Sequence, residues 1–209
     1  ITAAVFLYEL IKDEYISLTT IILVFLIGTA ISFVAFVSLN IDLGSDFLNT
    51  VIAAPIFEEL AKLMAVILIV SFLKVKKLST AIFIGWIVGA GFQIAETLGY
   101  ATYYGFETMF TNIEFITEDT YQFIGTLDPS VMILRSVFAL CSHALYAALS
   151  AAGYWFVTNG VKDKIKNVRF IIWMILPIMM HMIWNGTSIL LPDSDFSFYI
   201  LAGIQVIFF

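Results

Sequence analysis

Long apolar segments follow one another along almost the whole chain, and they restrict its possible folds more than any other feature. The segments lie at about residues 16–39, 49–73, 78–104, 131–158 and 169–191. A helix needs about 20 predominantly apolar residues to cross the hydrocarbon core of a bilayer, and each segment reaches that length. The sequence therefore predicts an all-α fold, a polytopic transmembrane helix bundle with five full spans.

Both ends of the chain are apolar as well. Residues 1–11 have the composition expected for the end of a helix, and another apolar segment starts near Phe198 and continues to Phe209. We therefore expect truncated helices at both ends of the bundle. No repeat or low-complexity segment divides the chain, and we expect residues 1–209 to form a single integral membrane domain.

The composition agrees with a location in the lipid bilayer. The 209 residues are 61% hydrophobic and only 12% charged, whereas a soluble domain carries roughly 25% charged residues. Ten basic residues against 16 acidic ones give a net charge of −6, which argues against a nucleic-acid partner. Cys141 is the only cysteine, so an internal disulfide is excluded.

The charges in the connections between the apolar segments separate by sign. Basic residues occupy alternate connections, namely Lys12, Lys74, Lys76, Lys77, Lys162, Lys164, Lys166 and Arg169. The other connections hold acidic residues without Lys or Arg, namely Asp42, Asp46, Glu107, Glu114, Glu118, Asp119, Asp128, Asp193 and Asp195. Because positively charged loops mark the cytoplasmic side, we expect the acidic loops of this multi-pass protein to lie outside.

Polar side chains interrupt four of the predicted spans. They are Glu58, Glu59 and Lys62 in the second span, Glu96 in the third, Arg135 and His143 in the fourth, and His181 and Asn185 in the fifth. Counting about 1.5 Å per residue from the ends of the spans places them in one layer, in the half of the bilayer next to the acidic loops. An ionised group at the centre of a membrane helix costs about 2.5–3.5 kcal/mol. Such groups must pair or line a wet cavity, so the sequence predicts a shared functional site.

Two adjacent carboxylates stand out within this layer. Lys62 follows Glu58 by four residues and Glu59 by three, so its ammonium can bridge both acids on one face of a helix. A structural ion pair requires one acid only. We therefore interpret one carboxylate as the partner of Lys62 and the other as a group that faces a cavity and transfers protons.

The remaining polar residues allow two interpretations each. His181 and Asn185 lie four residues apart on one helix face. They either hold helices together or form a catalytic pair, in which Asn185 donates a hydrogen bond to an oxyanion. His143 is either a packing residue or a ligand, and Arg135 is an ion-pair partner or reaches toward the membrane surface. We interpret Phe92 as a packing residue.

Three short motifs occur in order, one in each of three spans. They are EELAK (Glu58–Lys62), FQIAE (Phe92–Glu96) and HMIWN (His181–Asn185). As EExxK, FxxxE and HxxxN in this order, they resemble the PrsW family of intramembrane proteases, which is related to the CAAX prenyl endopeptidases. The resemblance covers about residues 50–190. Thr97 departs from it, since the family usually has Asn after the glutamate.

The resemblance implies an intramembrane endopeptidase of a bacterial cell membrane, with residues 1–209 as a protease-like domain. Its partner would be a single-span membrane protein, such as an anti-sigma factor, cut near the extracytoplasmic side. The catalytic residues would be Glu58, Glu59, Glu96, His181 and Asn185, and the supporting residues Lys62, His143, Arg135 and Phe92. Glu58 is the preferred general base for an activated water, and Glu96 would position that water.

The cofactor and the function class each leave an alternative. A metal-free mechanism is preferred, because the sequence has no HExxH motif and a carboxylate pair with oxyanion donors is sufficient. Glu58, His143 and His181 would nevertheless supply the His₂Glu set of a catalytic zinc site. A proton- or cation-coupled transporter would require a path to both faces and usually a repeated architecture. A non-catalytic membrane scaffold would tolerate loss of the carboxylates.

Overall fold

The structure, a computed structural model, describes residues 16–39, 41–110, 129–159 and 166–190. Its long helices are α1 (Leu18–Leu39), α2 (Ala54–Phe72), α3 (Leu78–Phe110), α4 (Pro129–Asn159) and α5 (Lys166–Leu190). No strand occurs within these ranges, so the predicted all-α class is confirmed for them. Each helix overlaps one predicted span. The helices predicted at residues 1–11 and from Phe198 onward lie outside the described residues.

Three of the described helices are long and apolar enough to cross a membrane. They are α1, the Leu78–Gly99 part of α3 and the Asn167–Thr187 part of α5. The prediction of five full spans therefore exceeds what the structure supports. Helix α2 has 19 residues, and three of them are charged, which lowers the apolar content of the helix. The predicted third span of about 78–104 contains the Leu78–Gly99 segment, and helix α3 itself continues to Phe110.

The outer faces of the bundle are apolar. Large side chains such as Leu26 on α1 and Ile171 on α5 are 57% and 53% exposed, respectively. Faces of this kind are unfavourable in water and favourable against lipid tails. The inner faces pack into a core that includes Val66 and Ile69 of α2 and Val88 of α3.

A proline shapes the entrance of α2. A single helical turn, Asp46–Leu48, is capped by Ser45 and leads into a π-helical stretch, Asn49–Ala53, which passes directly into α2. Pro55 near the start of α2 has no N–H, and its ring disfavours regular α-helical packing on the preceding turn. A local π-helix is a common way to absorb such a disruption.

The connection before this turn is held by side-chain hydrogen bonds. Asp42 Oδ1 accepts from Asn49 Nδ2 at 2.8 Å and from the Gly44 N–H at 2.8 Å. These bonds hold the pKa of Asp42 below its ordinary value, with Asn49 as the larger cause. Asn49 Oδ1 in turn accepts from the Leu43 N–H at 2.7 Å. The acidic loop therefore has an ordered backbone where it enters the bundle.

Helices α3 and α4 approach each other closely through glycine. A Cβ atom at Gly85 would lie 2.5 Å from the backbone oxygen of Ala147, and one at Gly89 would overlap the backbone of His143 and Ala144. Small residues allow this approach between membrane helices. The contact at Gly89 fixes the depth and the rotation of His143 relative to α3.

Candidate active site

Four helices bring ionisable side chains to one buried cluster. Glu58, Glu59 and Lys62 of α2 are 3%, 0% and 0% exposed. They meet Glu96 of α3, His143 of α4 and His181 of α5, so six of the eight side chains that the sequence placed in one layer come together here. The chain has two histidines, and both lie here. We refer to these six residues as the polar cluster.

Lys62 lies at the centre of the polar cluster. Its Nζ atom donates to Glu59 Oε1 at 2.6 Å and lies 3.9 Å from Glu58 Oε2, so the predicted bridge between the two acids is present. It also donates to His143 Nδ1 at 2.7 Å. The Phe92 ring closes the remaining side, with its centroid 4.7 Å from Nζ. The ammonium thus compensates two buried carboxylates that have little access to water.

The contact with Lys62 defines the state of the His143 ring. A lysine ammonium can only donate, so Nδ1 accepts and the ring proton of neutral His143 is on Nε2. This nitrogen points toward α3 and lies 3.7 Å from Glu96 Oε2. The Glu96 side chain is 13% exposed, more than the carboxylates of α2.

His181 is oriented by the second carboxylate of the motif. Its Nδ1 atom lies 2.9 Å from Glu59 Oε1, and an ionised carboxylate can only accept. Nδ1 therefore donates, which leaves the lone pair on Nε2, 3.8 Å from Glu58 Oε2. A histidine that donates one N–H to a carboxylate and presents its other nitrogen is the usual arrangement of a metal ligand.

The cluster contains a set of atoms that fits a metal ion. Glu58, His143 and His181 each offer one ligand atom, and these atoms lie within 4.8 Å of one another. A tetrahedral zinc ion with bonds of about 2.0–2.2 Å holds its ligand atoms roughly 3.3–3.6 Å apart, so binding would draw the three side chains closer together. Two histidines and one glutamate form a common donor set of catalytic zinc sites. Ligation through His143 Nδ1 requires Lys62 to release that atom.

An aromatic side chain that the sequence analysis did not select completes the site. Tyr146 of α4 is 2% exposed, and its ring stacks on His181 with centroids 5.6 Å apart and an interplanar angle of 30°. Its edge contact with His143 has a centroid distance of 6.1 Å. The spacing contained a signal, since Tyr146 follows His143 by three residues and shares its helix face. Phe92 packs 5.8 Å from His143, in keeping with its interpretation as a packing residue.

Asn185 has a partner outside the cluster. Its Nδ2 atom donates to the backbone oxygen of Thr50 at 2.9 Å. In the π-helical stretch, the N–H of Ala54 donates to the Asn49 carbonyl. The Thr50 carbonyl would pair in the same way with the N–H of residue 55, but Pro55 has no N–H. Asn185 therefore supplies the donor that the proline removes, and its oxyanion role stays a prediction. Arg135 lies in α4, but its side chain is outside the described part of the chain.

The comparison with protein families agrees with this geometry. Residues 15–209 match the profile of the PrsW family intramembrane metalloprotease. No curated protein matches the chain, and no solved structure matches it. The family match extends over the three motifs and over all helices that carry the polar cluster. The chain therefore belongs to the PrsW family of intramembrane metalloproteases.

Proposed function

We propose that this membrane protease cuts a single-span membrane protein with the aid of a metal ion held by Glu58, His143 and His181. The observation that carries the proposal is the buried convergence of these three side chains, whose ligand atoms lie within 4.8 Å of one another. The sequence alone favoured a metal-free site. The donor set and the family description favour the metal alternative.

A metal ion bound there supplies Lewis-acid polarisation of the substrate carbonyl and of water. The protein's own residues prepare the site. Glu59 fixes His181 through the 2.9 Å hydrogen bond to Nδ1, so that Nε2 faces Glu58. Lys62 balances the charge of both α2 carboxylates. Each of these contacts reduces the reorganisation that the reaction requires.

The proton-transfer role passes to Glu96 in this proposal. Glu58 cannot act as a free base while it binds a metal, and Glu59 is occupied by Lys62 and His181. Glu96 is the most accessible carboxylate of the cluster and lies 3.7 Å from His143 Nε2. It is thus placed to accept a proton from water and deliver it to the leaving amine.

The substrate would be cut in the half of the membrane next to the acidic loops. The sign of the loop charges supports this side as the extracytoplasmic one. The family resemblance suggests a bacterial cell membrane and a regulatory substrate such as an anti-sigma factor. We propose the substrate, the orientation of the protein in the membrane and the separate roles of the three carboxylates together.

Purified protein in lipid, mixed with candidate single-span substrates, tests the proposal. Wild type is compared with Glu58→Gln, His143→Ala, His181→Ala and Glu96→Gln, and Asp46→Asn in the exposed acidic loop is the control for loss of a negative charge. We expect the four cluster variants to lose at least about 100-fold in rate, the range seen when a catalytic group is removed. The control should keep its activity.

Metal content separates the two mechanisms. We expect about one bound metal ion per wild-type chain and none in the Glu58→Gln and His181→Ala variants. The Glu96→Gln variant should keep the metal ion and lose activity. A chelator should abolish cleavage, and zinc should restore it. Full cleavage by protein shown to contain no metal would overturn the metal site and leave the carboxylate mechanism.

A further inference from the structure

We propose that the protein binds an anionic phospholipid in a cavity at the opposite end of the bundle from the polar cluster. The cavity has a volume of about 390 Å³ and lies between the start of α1, the loop after α2 and the first turns of α3. Helix α2 ends 14 residues after Glu58, roughly 21 Å farther along its axis. We call this space the basic-loop cavity.

The mouth of the basic-loop cavity suits a phosphate group. Lys76 and Lys77 line it, both are exposed, and the hydroxyl residues Ser17, Thr20 and Thr80 lie beside them. Among the described residues that line the cavity, none is acidic. Two ammonium groups with neighbouring hydroxyl donors favour an anionic headgroup over a zwitterionic one.

The floor of the basic-loop cavity suits an acyl chain. It is formed by apolar residues, including Val24 of α1 and Phe83, Ile84 and Ile87 of α3. Ile87 lies nine residues into α3, so the apolar floor extends roughly 14 Å from the mouth. An inorganic phosphate would leave this surface without a partner. A lipid would cover it and place its charge between the lysines.

The backbone that carries the lysines is held in place by α4. Trp155 Nε1 donates to the Lys76 carbonyl at 3.0 Å, and Asn159 Nδ2 donates to the Val75 carbonyl at 3.5 Å. At the end of α2, the Val75 N–H binds the Val70 carbonyl at 3.1 Å, and Lys74 takes the left-handed conformation with φ of 52°. Together with the 3.2 Å hydrogen bond from the Lys74 N–H to the Ser71 carbonyl, the Val75 bond forms a Schellman cap at the end of α2. A loop ordered before binding loses less entropy when a ligand arrives.

The experiment uses native mass spectrometry and thermal stability of the purified protein in neutral detergent. Phosphatidylglycerol and phosphatidylcholine with identical acyl chains are added separately, and inorganic phosphate is a third probe. Wild type is compared with Lys76→Gln, Lys77→Gln and the double variant. Lys74→Gln is the matched control, because Lys74 belongs to the same loop and does not line the cavity.

We expect phosphatidylglycerol to bind and stabilise wild type more than phosphatidylcholine. Each cavity lysine should contribute about fivefold in affinity, the usual share of one basic residue near an anionic surface. The Lys74→Gln variant should bind phosphatidylglycerol as wild type does. Phosphate alone should stabilise the wild-type protein little. Equal losses in Lys74→Gln and in the cavity variants would overturn the proposal in favour of unspecific attraction. Equal binding of both lipids, or full stabilisation by phosphate alone, would overturn it as well.

Discussion

The two histidine rings of the polar cluster contact an aromatic neighbour, which supports the orientation that the hydrogen bonds to Glu59 and Lys62 give them. Tyr146 stacks on His181, and the His143 and His181 rings meet at 4.8 Å with an interplanar angle of 87°. A stacked aromatic pair contributes about 0.5–1.5 kcal/mol beyond its buried area. Tyr146 is therefore a positioning residue that acts through His181.

Replacing the ring and keeping the ring should have different effects at this position. In Tyr146→Phe the stacked face remains, so zinc affinity should stay within about twofold of wild type. In Tyr146→Leu the face is lost, and zinc affinity should fall about tenfold or more, as for other groups that orient metal ligands. Competition with a chromophoric chelator measures both. If Phe and Leu weaken binding equally, the hydroxyl and not the ring is the important group.

Spacing along one helix was sufficient to predict the contacts of Lys62 with Glu58 and Glu59. The i,i+3 and i,i+4 positions of Lys62 relative to Glu59 and Glu58 predicted the bridge that the structure shows. It failed for Tyr146, because stacking depends on the rotation of α4 against α5. It also missed the backbone partner of Asn185, because that oxygen is exposed only by the π-helical entrance of α2.

At the scale of helices, Asn185 and Pro55 are coupled through the carbonyl of Thr50. Asn185→Ala should leave this carbonyl without its donor and destabilise the protein by about 0.5–1.5 kcal/mol, the net contribution of a typical hydrogen bond. In a Pro55→Ala background, residue 55 regains an N–H, and the same substitution should cost less. A double-mutant cycle on thermal stability in detergent measures the difference. Additive effects of the two substitutions would contradict the coupling.

Glycine at position 89 sets the distance between α3 and α4. A Cβ atom there would overlap the backbone at His143, whereas one at Gly99 of the same helix would meet, among the described residues, only the Phe33 ring at 3.9 Å. Gly89→Ala should therefore displace His143 and lower both stability and zinc affinity. Gly99→Ala should be neutral or slightly stabilising, since alanine favours the helix by about 0.5–1 kcal/mol. A Gly89→Ala protein with wild-type zinc affinity would show that the cluster does not depend on this contact.

The polar cluster does not lie midway between the two ends of the helix bundle. On α5, His181 lies nine residues before Leu190 and 15 residues after Lys166, roughly 14 Å and 22 Å along the helix, respectively. The polar cluster is therefore closer to the acidic loops, and the basic-loop cavity lies at the opposite end. The order of the apolar segments and the sign of their loops were sufficient to predict that the cluster lies nearer the acidic loops, whereas the cavity was visible only in the structure. The number of spanning helices was overestimated, for α2 because three charged residues lower the hydropathy of that helix.

Orientation in the membrane follows from the same asymmetry and can be measured by cysteine labelling. Cys141 is the only cysteine, so Cys141→Ala gives a background without thiols. Leu43→Cys reports on the acidic loop, where the native side chain is 44% exposed, and Lys76→Cys reports on the basic loop. A membrane-impermeant maleimide should label position 43 in intact bacterial cells and position 76 only after permeabilisation.

The labelling pattern also limits where the peptide bond is cut. With position 43 outside, the cluster lies in the outer half of the membrane, and cleavage should release the extracytoplasmic part of a single-span substrate. Comparison of product masses with the predicted substrate span measures this position. The opposite labelling pattern would contradict the assignment from loop charges. It would move the expected cut to the inner half, because the distances of His181 from the two ends of α5 are fixed by the helix itself.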